Sequence, residues 1–181
     1  MAFVIKMAET LHEFEQIERL NYETFVEEIP QHAHNPDKRL KDKFHEKNQY
    51  LIAVMNGEVI GMVALNAQRP FSLDAKIEQL DSFLPPFQKV VEVRLLAVQK
   101  TVRGGKILYQ LIQGMVEWSH GKGFDIAIIS GTTRQQKLYK KVGFVPFHPI
   151  VGSEDAAFVP MVLIVRHFMD TQKHLIPKTQ P

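Results

Sequence analysis

The sequence predicts an α/β (α+β) fold, with a mixed, mostly antiparallel central sheet and helices on both faces. Three observations predict it. Residues 90–144 read as strand, glycine-bearing turn, amphipathic helix, strand and helix, the pattern of a crossover unit. QYLIAVM and EVIGMVALNA flank Asn56-Gly57, the strongest short hairpin signal. The run VVEVRLLAV is nearly continuous in apolar residues, as a strand covered on both faces should be.

Taken in order, Phe3 to Met7 form a short first strand. Thr10 and Glu13 make a capping box, and Leu11, Phe14, Ile17, Leu20 and Phe25 keep helical spacing. The spacing predicts a helix from Leu11 to about Val26, limited by Pro30. Asn35 before Pro36 reads as a helix cap, opening a short basic helix to about Glu46 with Leu40 and Phe44 buried. Gly61, inside the second hairpin strand, marks a bulge or a close approach.

Ser72 is expected to cap another helix, burying Leu73, Ile77 and Leu80 and ended by Pro85-Pro86. This connection is long enough to form part of a substrate wall. A central strand follows from Val90 to Val98, then a helix with Ile107, Leu108, Leu111, Ile112, Met115 and Trp118 on one face. Gly114 lets that helix lie close to the sheet, and Gly121 and Gly123 close it. Asp125–Ser130 is a buried strand, and Thr132 or Thr133 caps the helix bearing Leu138 and Tyr139. Strands at Val145–Ile150 and Phe158–Val165 complete a domain over residues 1–168, leaving 169–181 as a polar tail or linker.

Composition bounds the chemistry. The 181 residues contain no cysteine, which removes thiolate nucleophiles, disulfides and Cys-based zinc sites. Hydrophobic residues at 45% and charged residues at 23% are ordinary for a globular chain. No signal peptide or membrane-spanning run is evident, so a cytoplasmic location without membrane association is expected. A net charge of +2 does not argue for nucleic acid. His32, His34 and His45 lie in a proline-containing stretch without carboxylates at ligand spacing, so no metal is expected.

The turn VRGGK opens a helix whose first amides have no partners within it, which makes an anion site. A Walker A motif needs GxxxxGK[ST], and Ile107 follows Lys106. A dinucleotide fingerprint needs GxGxxG, and only Gly104 and Gly105 are present. Both nucleotide motifs fail.

Ala97-Val98, Arg103-Gly104 and Leu138-Tyr139 with Gly143-Phe144 stand in the order and spacing of one family. The chain resembles the GNAT superfamily of acyl-CoA-dependent N-acyltransferases over most of its length. The central strand is also distantly similar to the E-x-x-R strand of autoinducer synthases and N-acyl amino acid synthases, with Arg94 one place early. Lys106 and Leu108 stand where the family's turn carries small residues, and Thr132 where an asparagine is usual.

The resemblance implies an enzyme that moves an acyl group, most simply acetyl, from acyl-CoA to a primary amine of a small molecule or amino acid. It implies carrier binding by Leu96, Ala97, Val98, Arg103, Gly104, Gly105, Lys106, Ile107 and Thr132. Tyr139 would assist the leaving sulfur and Glu92 would act as base, directly or through water. Burial among apolar neighbours suits a carboxylate to that task, although an ion pair with Arg94 or a lysine is the competing role. Arg134, Lys137, Lys140 and Lys141 form either a solvated face or a seat for the 3′-phosphate. Longer acyl groups, an acyl carrier protein as donor, a homodimer, and a non-catalytic ligand-sensing role stay open.

Overall fold

The computed structural model describes residues 2–103, 105–153 and 157–171. Seven strands form one sheet in the order β1-β2-β3-β4-β5-β7-β6. They are β1 (Val4–Met7), β2 (Asn48–Met55), β3 (Glu58–Asn66), β4 (Val90–Val98), β5 (Ile126–Thr132), β6 (Val145–Pro146) and β7 (Phe158–Ile164). The helices are α1 (Leu11–Tyr22), α2 (Gly105–Gly121), α3 (Gln136–Val142) and α4 (Val165–Thr171). Pairings β1/β2, β2/β3, β5/β7 and β6/β7 are antiparallel and β4/β5 is parallel, the mixed sheet expected. Among the described residues, no helix is long and apolar enough to cross a membrane.

The chain gathers into two compact units. One holds residues 1–69 and 93–115, the other residues 70–92 and everything from Val116.

In the first unit, both faces of β2 and β3 are covered by helices. Ile52, Met62 and Ala64 pack with Ile17 and Leu20 of α1, while Ala53 and Ile60 pack with Ile107 and Leu111 of α2. Neighbouring residues of β2 alternate between the faces, whereas Ile60 and Met62, two apart, face opposite ways because a bulge interrupts the period between them. Asn56 and Gly57 at φ 53° and 83° form the turn, as a primed hairpin turn requires. A Cβ at Gly61 would stand 3.0 Å from Leu111 Cδ1 and 3.3 Å from the Ala97 carbonyl. The register also slips between Ala53 and Val54, so a close approach and a bulge occur together. At Gly114 a Cβ would stand 2.9 Å from Leu51 Cδ2, which explains how closely α2 lies on its strands.

The capping box forms as expected: Thr10 Oγ1 accepts from Glu13 N at 3.2 Å and Glu13 Oε2 from Thr10 N at 3.0 Å. The helix behind it does not stay α-helical. After Tyr22 it widens into a π-helix, Glu23–Glu28, closed by Ile29 N on Thr24 O.

The expected helix over residues 35–46 is absent, and turns replace it. The Asn35 side chain bonds both Arg39 N and Arg39 O, and Lys38 is left-handed at φ 50°. An asparagine that bonds its own neighbourhood competes with helix formation. Two of the loop histidines are hydrogen-bonded: His34 Nδ1, on an exposed residue, lies 3.1 Å from Tyr22 OH, and His45 Nδ1, half-buried, lies 3.2 Å from Tyr50 OH.

In the second unit, Leu73, Ile77 and Leu80 are buried as expected, but in turns rather than a helix. Carboxylates take the segment's opening amides: Asp74 Oδ2 accepts from Phe71 N and Glu92 from Ser72 N and Leu73 N. Only a 3₁₀ turn, Leu80–Phe83, is regular. These side chains cover Val90, Ile126, Ile128 and Val162 of the sheet. The strand expected at Val145–Ile150 shortens to Val145–Pro146, since Pro146 and Pro149 lack ladder donors. The start of the expected polar tail, residues 169–171, belongs to α4; residues 172–181 lie outside the described residues.

Candidate active site

The first unit contributes the end of β4, the turn after it and the start of α2. Leu95 sits at φ 49° inside the strand. A non-glycine residue there is strained by about 1–3 kcal/mol, a cost that clusters at functional sites. The kink breaks the alternation: Arg94, Leu95 and Leu96 are all partly exposed, whereas Ala97 and Val98 are buried.

Arg103 folds back onto this strand end. Its Nε and Nη2 donate to the Val98 carbonyl at 3.2 and 3.0 Å, and Nη1 pairs with Glu28 Oε2 at 2.8 Å. This side chain fastens the turn, tying it to β4 and to the π-helical segment. Gly104 lies outside the described residues. Gly105 opens α2 in open space, for a Cβ there would meet nothing within 4 Å. Lys106 is exposed, while the Ile107 side chain is buried against the α2 face of the sheet. Ile107 can serve a ligand only through its backbone.

The second unit holds Thr132, Tyr139 and Glu92. Thr132 ends β5 and precedes a 3₁₀ turn without a side-chain cap bond. Tyr139 OH donates to Gln135 Oε1 at 2.8 Å, and burial pushes its phenol up to about 12. Its ring lies edge-on to Phe144 and against Gly131, where a Cβ would stand 3.1 Å from Tyr139 Cδ2. The small residue is what admits the ring. Gly143, at φ 107°, ends α3 in the left-handed conformation. Arg134, Lys137, Lys140 and Lys141 are all exposed.

Glu92 is 1% exposed. Its carboxylate accepts from Ser72 N at 2.9 Å, Ser72 Oγ at 2.5 Å and Leu73 N at 3.1 Å. That gives it an anchoring task at the start of the 70–84 connection.

A polar cluster in the first unit was not anticipated. Arg94 Nη2 pairs with Asp42 Oδ1 at 2.9 Å and its guanidinium lies 4.6 Å over the Phe44 ring. Asn48 Nδ2 donates to Asp42 Oδ2 at 2.7 Å and to Tyr50 OH at 3.1 Å. Burial pushes the Tyr50 phenol up to about 12. Asparagines at the outer ends of two apolar strands, Asn48 and Asn66, were the available sequence signal. Among the described residues, no group of three acidic, histidine or cysteine side chains is placed to hold a metal.

The fold is that of the GNAT-type N-acyltransferases. A CoA-dependent acyl-homoserine lactone synthase, BjaI, solved with SAM and isopentyl-CoA, is 20% identical with TM-score 0.81, over 96% of this chain and 90% of that one. FeeM, an N-acyl amino acid synthase from uncultured soil microbes, is 13% identical with TM-score 0.75, over 97% and 99%. An acyl-CoA N-acyltransferase from Pseudomonas aeruginosa is 18% identical with TM-score 0.61, over 90% and 98%. No curated protein matches the chain in sequence. The chain belongs to the N-acyl amino acid synthase FeeM family, whose model matches residues 16–167, and is an N-acyltransferase.

Proposed function

We propose that the protein transfers an acyl group from an acyl-CoA to the primary amine of an amino acid or similar small molecule. The observation that carries this is the kinked end of β4 beside the α2 N-terminus, in a chain of the N-acyl amino acid synthase family. The amides of Gly105, Lys106 and Ile107 open a 17-residue helix and suit the pyrophosphate. The amides of Leu96, Ala97 and Val98, next to the kink, are assigned to the thioester carbonyl, whose oxygen gains charge as the bond order falls. Thr132 is assigned to the same carrier, and Lys106 adds a cation near the phosphates.

In the reaction the amine nitrogen attacks the carbonyl carbon, the carbon–sulfur bond breaks, and the sulfur leaves with the electron pair. The amine's proton passes to water or to a base. Tyr139 is assigned to the sulfur. A phenol near 12 is a weaker acid than a thiol of about 8.5. It therefore hydrogen-bonds the departing thiolate rather than handing its proton over. The three bonds that Glu92 receives support an anchoring role more than that of a free base. A cytoplasmic setting belongs to the same proposal.

Acyl carrier protein is the second reading for the donor, favoured by the exposed cations Arg134, Lys137, Lys140 and Lys141. Thermal unfolding with acetyl-CoA, longer acyl-CoAs and acyl carrier protein separates the two. A donor that binds the folded chain should stabilise it by about 2.7 kcal/mol at one hundred times its Kd. No shift with any acyl-CoA contradicts the main reading.

A further inference from the structure

Two asparagines close the β2/β3 hairpin at the end away from its turn. Asn48 is the first residue of β2, Asn66 the last of β3, and the two are register partners. Paired residues of antiparallel strands send their side chains to the same face, close together. Asn66 is 0% exposed.

The orientation of each amide is set by the end already bonded. Asn48 Nδ2 faces the Asp42 carboxylate at 2.7 Å, so its other end is the oxygen. Asn66 Oδ1 accepts from Gln68 N at 3.0 Å, so its other end is the nitrogen. Those remaining ends, the acceptor Asn48 Oδ1 and the donor Asn66 Nδ2, are buried, and neither has a hydrogen-bond partner. Two asparagines serving only to hold the strands would bond each other. Unpaired buried polar atoms are costly, and here a donor and an acceptor are orphaned on two register-paired residues.

We infer that this pair recognises a neutral group that both donates and accepts, a hydroxyl or a primary carboxamide, on the amine acceptor. The inference rests on the N-acyltransferase reading. A carboxylate only accepts, so it would meet Asn66 but face Asn48 Oδ1 and leave that acceptor unpaired. An ammonium only donates and would leave Asn66 Nδ2 unpaired. The nearby charges, Asp42 and Arg94, already neutralise each other at 2.9 Å, which leaves no net charge for an ionic head to answer. A hydroxyl accepts from Asn66 Nδ2 and donates to Asn48 Oδ1, and a carboxamide does the same with its two ends. Such a site discriminates strongly against an analogue lacking the group, because both asparagines then stay unpaired.

The test uses isosteric amines: serine against 2-aminobutyrate, tyramine against 4-methylphenethylamine, and glutamine against 5-methylnorleucine. Binding is measured by calorimetry with coenzyme A present, and acyl transfer is measured separately. The expected result is that the hydroxyl or carboxamide member of at least one pair binds tenfold or more tightly. That preference should fall to within about twofold in Asn48→Leu and Asn66→Leu, because the apolar tips return no hydrogen bond. If Asn66→Leu does not fold, the smaller Asn66→Ala, which removes the donor without offering a new acceptor, should lower the preference in the same way. Equal binding within every pair, or a preference unchanged in the variants, overturns the inference and leaves the asparagines to a buried water. Absence of acyl transfer alongside a clear binding preference counts against the enzymatic reading alone.

Discussion

Arg103 holds the carbonyl of Val98 through two guanidinium nitrogens, Nε at 3.2 Å and Nη2 at 3.0 Å. The last residue of β4 and the turn that opens α2 are thus one mechanical piece. Arg103→Ala should loosen that piece and raise KM for acyl-CoA about tenfold, a loss of binding that corresponds to about 1.4 kcal/mol. The ion pair with Glu28 is half exposed on the Arg103 side, so stability should change by no more than about 1 kcal/mol. Arg103→Lys cannot reproduce the forked contact and should not restore KM. Steady-state kinetics beside a denaturant titration checks both.

Tyr139→Phe should lower kcat by about 10²–10³ while leaving acyl-CoA binding intact, as removal of one donor to a developing anion does. Unchanged kcat would favour a purely ligand-sensing chain. Because burial raises the phenol from 10.0 to about 12, it stays protonated throughout the neutral range. The rate should therefore show no basic limb from this group below about pH 10. The linkage has a definite sign. The fold prefers the neutral phenol, so its contribution is full below pH 10.0 and is lost as pH rises through about 12.

Much of this architecture was legible because periodic burial and turn chemistry act locally. The capping box at Thr10 and the hairpin at Asn56-Gly57 follow from residues a few places apart, and Gly61 stood out as a glycine within a strand, although the groups that approach it, Leu111 and Ala97, are distant in sequence. One absent helix has a tertiary cause and the other a local one that the sequence left ambiguous. The Ser72–Leu80 segment has helical apolar spacing, yet Glu92, twenty residues on, takes its first amides. Asn35 looked like a helix cap but spends its side chain on Arg39. Within the site, Tyr139 was legible through its motif, whereas the kink at Leu95 and the pairing of Arg94 with Asp42 depend on contacts distant in sequence.

Ser72 and Glu92 should behave as a coupled pair. Glu92→Gln replaces one of two accepting oxygens with an NH2 that faces donors, and should cost roughly 1.5–3 kcal/mol. Ser72→Ala deletes only the hydroxyl partner, and the double variant should be less destabilised than the sum of the two. Urea titrations of the cycle report the coupling. If Glu92 were instead the base, Glu92→Gln would abolish turnover while acyl-CoA binding persisted.

The N-terminus of α1 supplies a pH test of the fold. Backbone bonds from Glu9, the Lys6 ammonium and the Thr10 amide hold the Glu13 carboxyl at about 2, below its ordinary 4.5. Stability from this group is present above pH 4.5 and is lost as pH falls through about 2. Thr10→Ala should cost about 1 kcal/mol at neutral pH, the usual worth of a cap. Glu13→Gln should flatten the acid side of the stability curve, which thermal melts across pH will show.

The most direct measurement is thiol release from acyl-CoA in the presence of amines, followed by mass spectrometry of the products. The chain has no cysteine, so every thiol that appears comes from coenzyme A. Amine-dependent release with one acylated amine formed per thiol is the predicted result. A folded protein that releases no thiol with any acyl-CoA and amine, or releases it without forming an amide, would contradict it.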